Sequence, residues 1–180
     1  MKSGIKAFWL LLAAALLGAG CASYHVGTAL PPEQRCVFVE TVANETTEAI
    51  LGTLTRQALQ ERFSQTPGLR LAASDGTDAG LKVEVTLVAL EQRNLARART
   101  REKKARRDDG DAYQTVLYRL DLHAKWRAIP AQGDEAAIRK GEIVATADMP
   151  LTADKETAQR SALRQVARDL AVRIADAIAD

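Results

Sequence analysis

Strict alternation of apolar and polar side chains between residues 116 and 127 is the feature that most limits how this chain can fold. The apolar set points to one side and comprises Val116, Tyr118, Leu120, Leu122, Ala124 and Trp126. The other side carries Leu117, Arg119, Asp121, His123, Lys125 and Arg127. Period-two alternation predicts a strand with one buried and one wetter face. Residues 81–89 and 143–149 repeat the pattern, so we expect three long strands.

The segment from Thr47 to Ser64 has helical spacing instead. We expect Asn44 or Thr46 to cap its first turn, and Pro67-Gly68 to end it. The predicted apolar stripe comprises Ile50, Leu51, Leu54, Ala58, Leu59 and Phe63.

A second, longer helix is predicted after Pro150. Thr152 is the predicted cap, and Asp154 and Glu156 suit the positive end of a helix dipole. Its apolar stripe comprises Leu163, Val166, Ala167, Leu170, Ala171, Ile174 and Ile178. The opposite side is polar, which is typical of a surface helix with one buried face.

Short apolar runs at 36–41 and 69–73 add two short strands. The order is therefore strand, helix, short strand, three longer strands and helix. Both helices need a partner surface, and each strand offers one apolar face. The sequence predicts an α+β two-layer sandwich, with two helices packed on one face of a mixed four- to five-stranded sheet.

The first 21 residues have the layout of an export signal. Lys2 and Lys6 precede an apolar stretch from Ala7 to Ala19, and small residues lead to Cys21. This stretch is shorter than the roughly 20 residues of a spanning helix, so an uncleaved transmembrane anchor is the less favoured alternative. The end of the signal resembles the bacterial lipobox, with Gly18 where that pattern prefers Leu. The resemblance implies cleavage before Cys21 and acylation of its side chain and amino group.

We therefore expect a signal peptide at 1–20 that is removed, a lipidated tether at 21–34 and a single α+β domain at 35–180. The full chain has 25 basic and 23 acidic side chains. Cleavage removes Lys2 and Lys6, so the mature chain is neutral and gives no reason to expect a nucleic-acid partner. Acylation of Cys21 leaves Cys36 without a second cysteine in the chain with which to form a disulfide. A buried thiol is favoured there over pairing with another chain.

Catalytic motifs are missing from the sequence. Its two histidines, His25 and His123, stand outside any metal-ligand spacing, and no CxxC pair is present. The nucleophile elbow and both glycine-rich nucleotide loops are also absent. We expect no enzymatic activity, metal or cofactor. The glycosylation sequon at 44–46 is interpreted as a helix cap.

One segment, residues 97–107, is strongly basic. Its cations are Arg97, Arg99, Arg101, Lys103, Lys104, Arg106 and Arg107, and they give a local charge of +6 against the single acid Glu102. We call these seven residues the basic cluster. It is predicted at the tip of the hairpin between the two longest strands, where its charges would lie close together. Guanidinium groups bind phosphate through paired hydrogen bonds. A solvated loop that serves only solubility remains the alternative.

Several short motifs resemble the LPS-assembly lipoprotein family (LptE-type), the lipoprotein subunit of the outer-membrane lipopolysaccharide translocon. The residues that carry the resemblance are Cys21-Ala22-Ser23-Tyr24-His25-Val26-Gly27-Thr28, Leu30-Pro31-Pro32, Ala43-Asn44-Glu45-Thr46-Thr47 and the helix from Gln159 to Ala179.

The resemblance implies a non-enzymatic lipoprotein on the periplasmic face of the outer membrane. Its domain would plug the β-barrel translocon and assist lipopolysaccharide insertion. Ala22 is not the aspartate of inner-membrane retention, and the basic cluster is where lipopolysaccharide or the barrel wall would be contacted. The alternatives are a lipid-anchored activator of a peptidoglycan synthase, or an accessory lipoprotein of a secretion or lipid-transport complex. A tether of about 14 residues reaches roughly 50 Å, which favours a partner in or beside the same membrane.

Overall fold

The computed structural model describes residues 30–74, 78–99, 113–131, 137–151 and 154–179. A 3-10 turn at Pro32–Gln34 precedes the first strand. The strands are β1 (Cys36–Val39), β2 (Ala43–Asn44), β3 (Arg70–Leu71), β4 (Leu81–Arg99), β5 (Tyr113–Pro130) and β6 (Arg139–Pro150). The helices are α1 (Leu51–Gln65) and α2 (Lys155–Ala179).

The strands form one mixed sheet in the order β3-β1-β4-β5-β6, with β2 also paired to β4. The short strands β1 and β2 run parallel to β4, whereas β4, β5 and β6 form an antiparallel meander. The two helices pack on each other, and α2 covers β5 and β6. The predicted α+β fold class is confirmed. The sheet has six strands because Ala43 and Asn44 pair with Thr86 and Leu87.

The core forms where the predicted apolar faces meet. All seven stripe residues of α2 are buried, as are Leu81, Val83, Val85 and Leu87 of β4. Ala145, Ala147 and Met149 supply the same face of β6. Hydrophobic burial therefore follows the sequence periodicity over most of the molecule.

A bulge in β4 breaks that periodicity after Leu87. The register shifts between Leu87 and Ala89, so Leu90 lies opposite buried Leu122 and packs against the core. The prediction that Ala89 continues the core face is wrong, because one extra residue reverses the alternation.

Val116 is also more exposed than its pattern predicted, at 38%. The pairing of β6 with β5 ends at Leu117, and beyond it the Val116 carbonyl accepts one hydrogen bond from the Leu151 amide at 2.9 Å, so Val116 lies at the margin of the paired sheet. The alternation alone does not show where the neighbouring strand stops.

The start of α1 differs from the prediction. The helix begins at Leu51, and Ile50 before it is 50% exposed instead of buried. Asn44 and Thr46 do not cap the helix. The Asn44 side chain accepts hydrogen bonds from the Thr46 amide and hydroxyl, at 3.1 and 2.8 Å, and donates one to the Glu48 carbonyl at 2.9 Å. These bonds fix the turn that leads from β2 into α1.

Asp154, which was expected only to favour the helix dipole, provides the cap of α2. Its Oδ1 accepts a hydrogen bond from the Thr157 amide at 3.0 Å. The hydrogen bonds from the Thr157 hydroxyl and then from its amide hold the pKa of Asp154 below its ordinary value. Thr152, the predicted cap, lies outside the described residues.

Candidate functional site

The last part of the predicted tether belongs to the folded domain. Leu30 is 1% exposed and lies in the core, and its carbonyl accepts a hydrogen bond from Arg35 Nε at 3.1 Å. The 3-10 turn packs so closely on Gly80 that a Cβ there would lie 1.7 Å from the Glu33 carbonyl oxygen. The domain therefore includes Leu30, five residues before the predicted boundary. Eight residues separate Cys21 from Leu30, so the distance between these two residues is about 30 Å at most.

Beyond the bulge, β4 and β5 continue as a distal hairpin, residues 91–99 paired with 113–121. The parallel partners of β4 end at Leu87, so β5 is the one partner of this stretch among the described residues. Residues 91–97 are all exposed, whereas β5 still pairs with β6 as far as Leu117 and keeps Leu120 buried. On the β4 side, the hairpin thus extends the sheet past its core.

The basic cluster is divided between this hairpin and the segment that follows it. Arg97 and Arg99 lie within β4, in register with Thr115 and Tyr113, whereas the prediction placed them at the hairpin tip. The strand continues further because pairing with β5 persists beyond the core. The remaining candidates, Arg101, Lys103, Lys104, Arg106 and Arg107, lie outside the described residues, as does the lipid-attachment candidate Cys21.

The 3-10 turn and the described part of the basic cluster lie at opposite ends of β4. Leu81 begins this strand next to Gly80, which contacts the 3-10 turn. Arg99 ends it after 19 residues, which at 3.3 Å per residue is about 60 Å away.

The sheet face turned away from the helices, here called the open face, carries ion pairs across neighbouring strands. Arg119 donates to both carboxylate oxygens of Asp148, at 2.8 and 3.2 Å. This contact lowers the pKa of Asp148 and raises that of Arg119. Lys125 lies 3.5 Å from Glu142. The charges of this face therefore compensate one another locally.

Asp121 is the exception on the open face, because its side chain is fully buried. Arg93 donates to its Oδ2, while Oδ1 is buried without a hydrogen-bond partner among the described residues. Arg93 reaches Asp121 diagonally, since its own cross-strand partner is Arg119. The sequence prediction placed Asp121 with the wetter side chains, and the alternation contains no signal that separates it from them.

The outer surface of the helices also carries ion pairs. Arg160 pairs with Glu156 at 2.6 Å and Arg173 with Asp169 at 2.8 Å. Asp169 also accepts a hydrogen bond from the Thr146 amide at 3.0 Å, so α2 covers part of the exposed edge of β6. This contact blunts a strand edge that could otherwise pair with another chain.

The described ranges contain no group of three or more His, Cys, Asp or Glu residues placed to hold a metal. No helix in the same part of the chain is long and apolar enough to cross a membrane. Cys36 is a free, half-buried thiol, less enclosed than predicted.

The model of the lipopolysaccharide-assembly family LptE matches residues 35–178. The chain belongs to the LptE family. This family consists of non-enzymatic accessory lipoproteins of the outer membrane, associated with the lipopolysaccharide translocon. The match begins after Cys21, so the signal peptide and lipid attachment stay predictions. No curated protein matches the sequence.

Three solved structures are among those to which the chain is similar. Rare lipoprotein B from Shewanella oneidensis is 14% identical, covers 79% of this chain and 93% of its own, and has a TM-score of 0.44. A minor lipoprotein from Acinetobacter baumannii is 14% identical, covers 81% and 93%, and has a TM-score of 0.41. The PelC dodecamer from Paraburkholderia phytofirmans is 16% identical, covers 87% and 96%, and has a TM-score of 0.47.

Proposed function

We propose that this LptE-family protein is anchored in the outer membrane through Cys21, plugs the translocon barrel from the periplasmic side and assists lipopolysaccharide insertion. The proposal is supported by the positions of Arg97 and Arg99 and of the 3-10 turn at Pro32–Gln34, which lie near opposite ends of a strand about 60 Å long. A domain held by its base can then extend its basic end away from the anchoring leaflet.

The open face suits the interior of a barrel. Lumens of outer-membrane barrels are polar, and a surface of compensated ion pairs can face polar walls without a large net charge. The cover that Asp169 gives to the β6 edge also favours docking as a finished domain over strand pairing.

The basic cluster supplies the chemistry toward lipopolysaccharide. Phosphorylated glycolipids are anionic, and guanidinium groups bind phosphate through paired hydrogen bonds. A local charge of +6 competes for these phosphates and weakens contacts between neighbouring lipopolysaccharide molecules. No covalent step is involved.

The burial of Leu30 makes the alternative of a synthase activator less favourable. A free tether of eight residues between Cys21 and Leu30 spans about 30 Å, less than the roughly 50 Å that the sequence alone allowed. The shorter tether favours a partner within or beside the outer membrane.

A purification of the acylated protein from membranes tests the plug role. We expect a large outer-membrane β-barrel to co-purify, and recovery of a peptidoglycan synthase instead would contradict the proposal. The cluster variant, with Arg101, Lys103, Lys104, Arg106 and Arg107 replaced by Ser, tests the role of these charges. We expect its lipopolysaccharide affinity to fall roughly tenfold or more.

The matched control replaces five cations outside the cluster by Ser: Lys125, Arg127, Lys140, Arg160 and Arg173. It changes the net charge equally, so we expect it to bind lipopolysaccharide within about twofold of the wild type. Equal loss in both variants would show a general charge effect. Unchanged binding in the cluster variant would remove the cluster from the mechanism and leave the plug role standing.

A further inference from the structure

A shallow groove runs along the outer surface of the helix layer, between α1 and α2. It has a volume of about 170 Å³ and is lined by Gln57, Glu61, Arg164 and Arg168, among others. These four residues define the helix groove. Gln57 also borders a separate depression of about 500 Å³ on the other side of α1, which has no described residue of α2 in its lining.

The arginines of the helix groove differ from the other helix arginines in having no acidic partner. Arg160, Arg173 and Arg62 each pair with a carboxylate. By contrast, Arg164 and Arg168 are exposed and make no ion pair with a described residue.

Glu61 is the only acid among the groove residues, and its carboxylate contacts the Gln65 amide at 3.5 Å. The groove therefore holds two cations against one anion, whereas the open face compensates its charges.

We propose that the helix groove binds an extended acidic segment of the partner protein. The groove follows the seam between two helices, which fits an extended chain, and the side-chain amide of Gln57 can bond to its peptide groups. Guanidinium groups pair with carboxylates in a two-pronged geometry, so Arg164 and Arg168 favour an acidic segment.

The inference rests on the proposed barrel partner, and a charge-reversal pair tests it in the acylated full-length protein. The groove variant is Arg164→Glu with Arg168→Glu. The control is Arg160→Glu with Arg173→Glu, which makes the same charge change on the same helix outside the groove. We expect roughly tenfold less barrel protein to co-purify from membranes with the groove variant than with the wild type. The amount that co-purifies with the control should stay within about twofold of the wild-type amount. Circular dichroism checks that both variants are folded.

A second measurement works without the barrel. A fluorescently labelled decamer of glutamate is titrated into protein that already carries the five serine substitutions of the cluster variant. In this background the basic cluster cannot bind the peptide. At low salt, binding should raise the fluorescence anisotropy of the peptide. We expect this rise to be lost with the groove substitutions and kept with the control pair. Equal peptide binding by both would overturn the inference. So would dependence of lipopolysaccharide binding, instead of peptide binding, on Arg164 and Arg168.

The two proposals fail in different ways. If the wild-type protein recovers no barrel, the proposed function is wrong, while the peptide titration still decides the chemistry of the groove. If the wild type recovers the barrel and the groove variant does so equally well, the groove inference alone is wrong.

Discussion

Gly80 has less room around it than either of the two other described glycines with close neighbours. A Cβ at Gly80 would lie 1.7 Å from the Glu33 carbonyl oxygen, so an alanine displaces the 3-10 turn and draws Leu30 out of the core. We expect Gly80→Ala to lower the free energy of unfolding by about 2–3 kcal/mol, measured by urea denaturation.

Gly52→Ala is the matched control, because the nearest atoms to its Cβ would be 3.5 Å away and the residue lies inside α1. There we expect a gain of about 0.5–1 kcal/mol from helix propensity. A neutral result at Gly80 would contradict the close packing of residues 32–34 on the strand.

Asp121 and Arg93 form the pair whose loss matters most on the open face. Arg93→Ala leaves a fully buried carboxylate without its cation, and we expect a loss of about 1–3 kcal/mol in unfolding free energy. Arg119→Ala removes a pair in which both side chains are partly exposed, so its effect is smaller. Asp121→Asn in the Arg93→Ala background should recover part of the loss. Equal effects of the two arginine substitutions would contradict the importance of the burial.

At the scale of elements, the start of α2 depends on the charge state of Asp154. The hydrogen bonds from Thr157 lower the Asp154 pKa below 3.8 in the folded state. A lowered carboxyl pKa adds stability above the unfolded-state pKa, and this stability is lost as the pH falls through the folded-state pKa.

We expect Asp154→Ala to lower the unfolding temperature near pH 7 and to reduce the steepness of the stability loss toward about pH 3. Asp154→Asn keeps an acceptor for the Thr157 amide, so its unfolding temperature near pH 7 should be higher than that of Asp154→Ala. Because asparagine does not titrate, the unfolding temperature of this variant should also depend less on pH. Thermal unfolding of both variants across this pH range measures the two effects. A pH dependence like that of the wild type in both variants would exclude this role.

The elements could be predicted where periodicity alone decides them. Seven stripe residues of α2 are buried because one helix face meets one sheet. The bulge at Val88 could not be predicted, since one inserted residue leaves no compositional sign. The late start of α1 was missed because Asn44 and Thr46 serve equally well in a turn and in a cap. The burial of Asp121 depends on a diagonal contact with Arg93, which requires the strand register.

At the scale of the whole molecule, charge is distributed unevenly. The mature chain carries 23 basic and 23 acidic side chains once Lys2 and Lys6 are removed, and residues 97–107 hold seven of the basic ones and one acid. The remainder therefore has a charge of −6. The sequence predicted the basic cluster, but it could not show that Arg97 and Arg99 lie at the opposite end of β4 from the 3-10 turn, because that depends on the packing of this turn on Gly80.

This geometry predicts how the anchored protein stands on a neutral bilayer. In a Cys36→Ser background, a donor fluorophore is attached at Glu33→Cys or Arg97→Cys, and the acylated protein is inserted into phosphatidylcholine vesicles with a headgroup acceptor. The tether keeps residue 33 within about 40 Å of the lipid surface, whereas residue 97 lies about 50 Å further along β4. We expect strong energy transfer from position 33 and weak transfer from position 97. Equal transfer would mean that the domain lies flat, and the basic end could not then extend into a barrel above its own anchor.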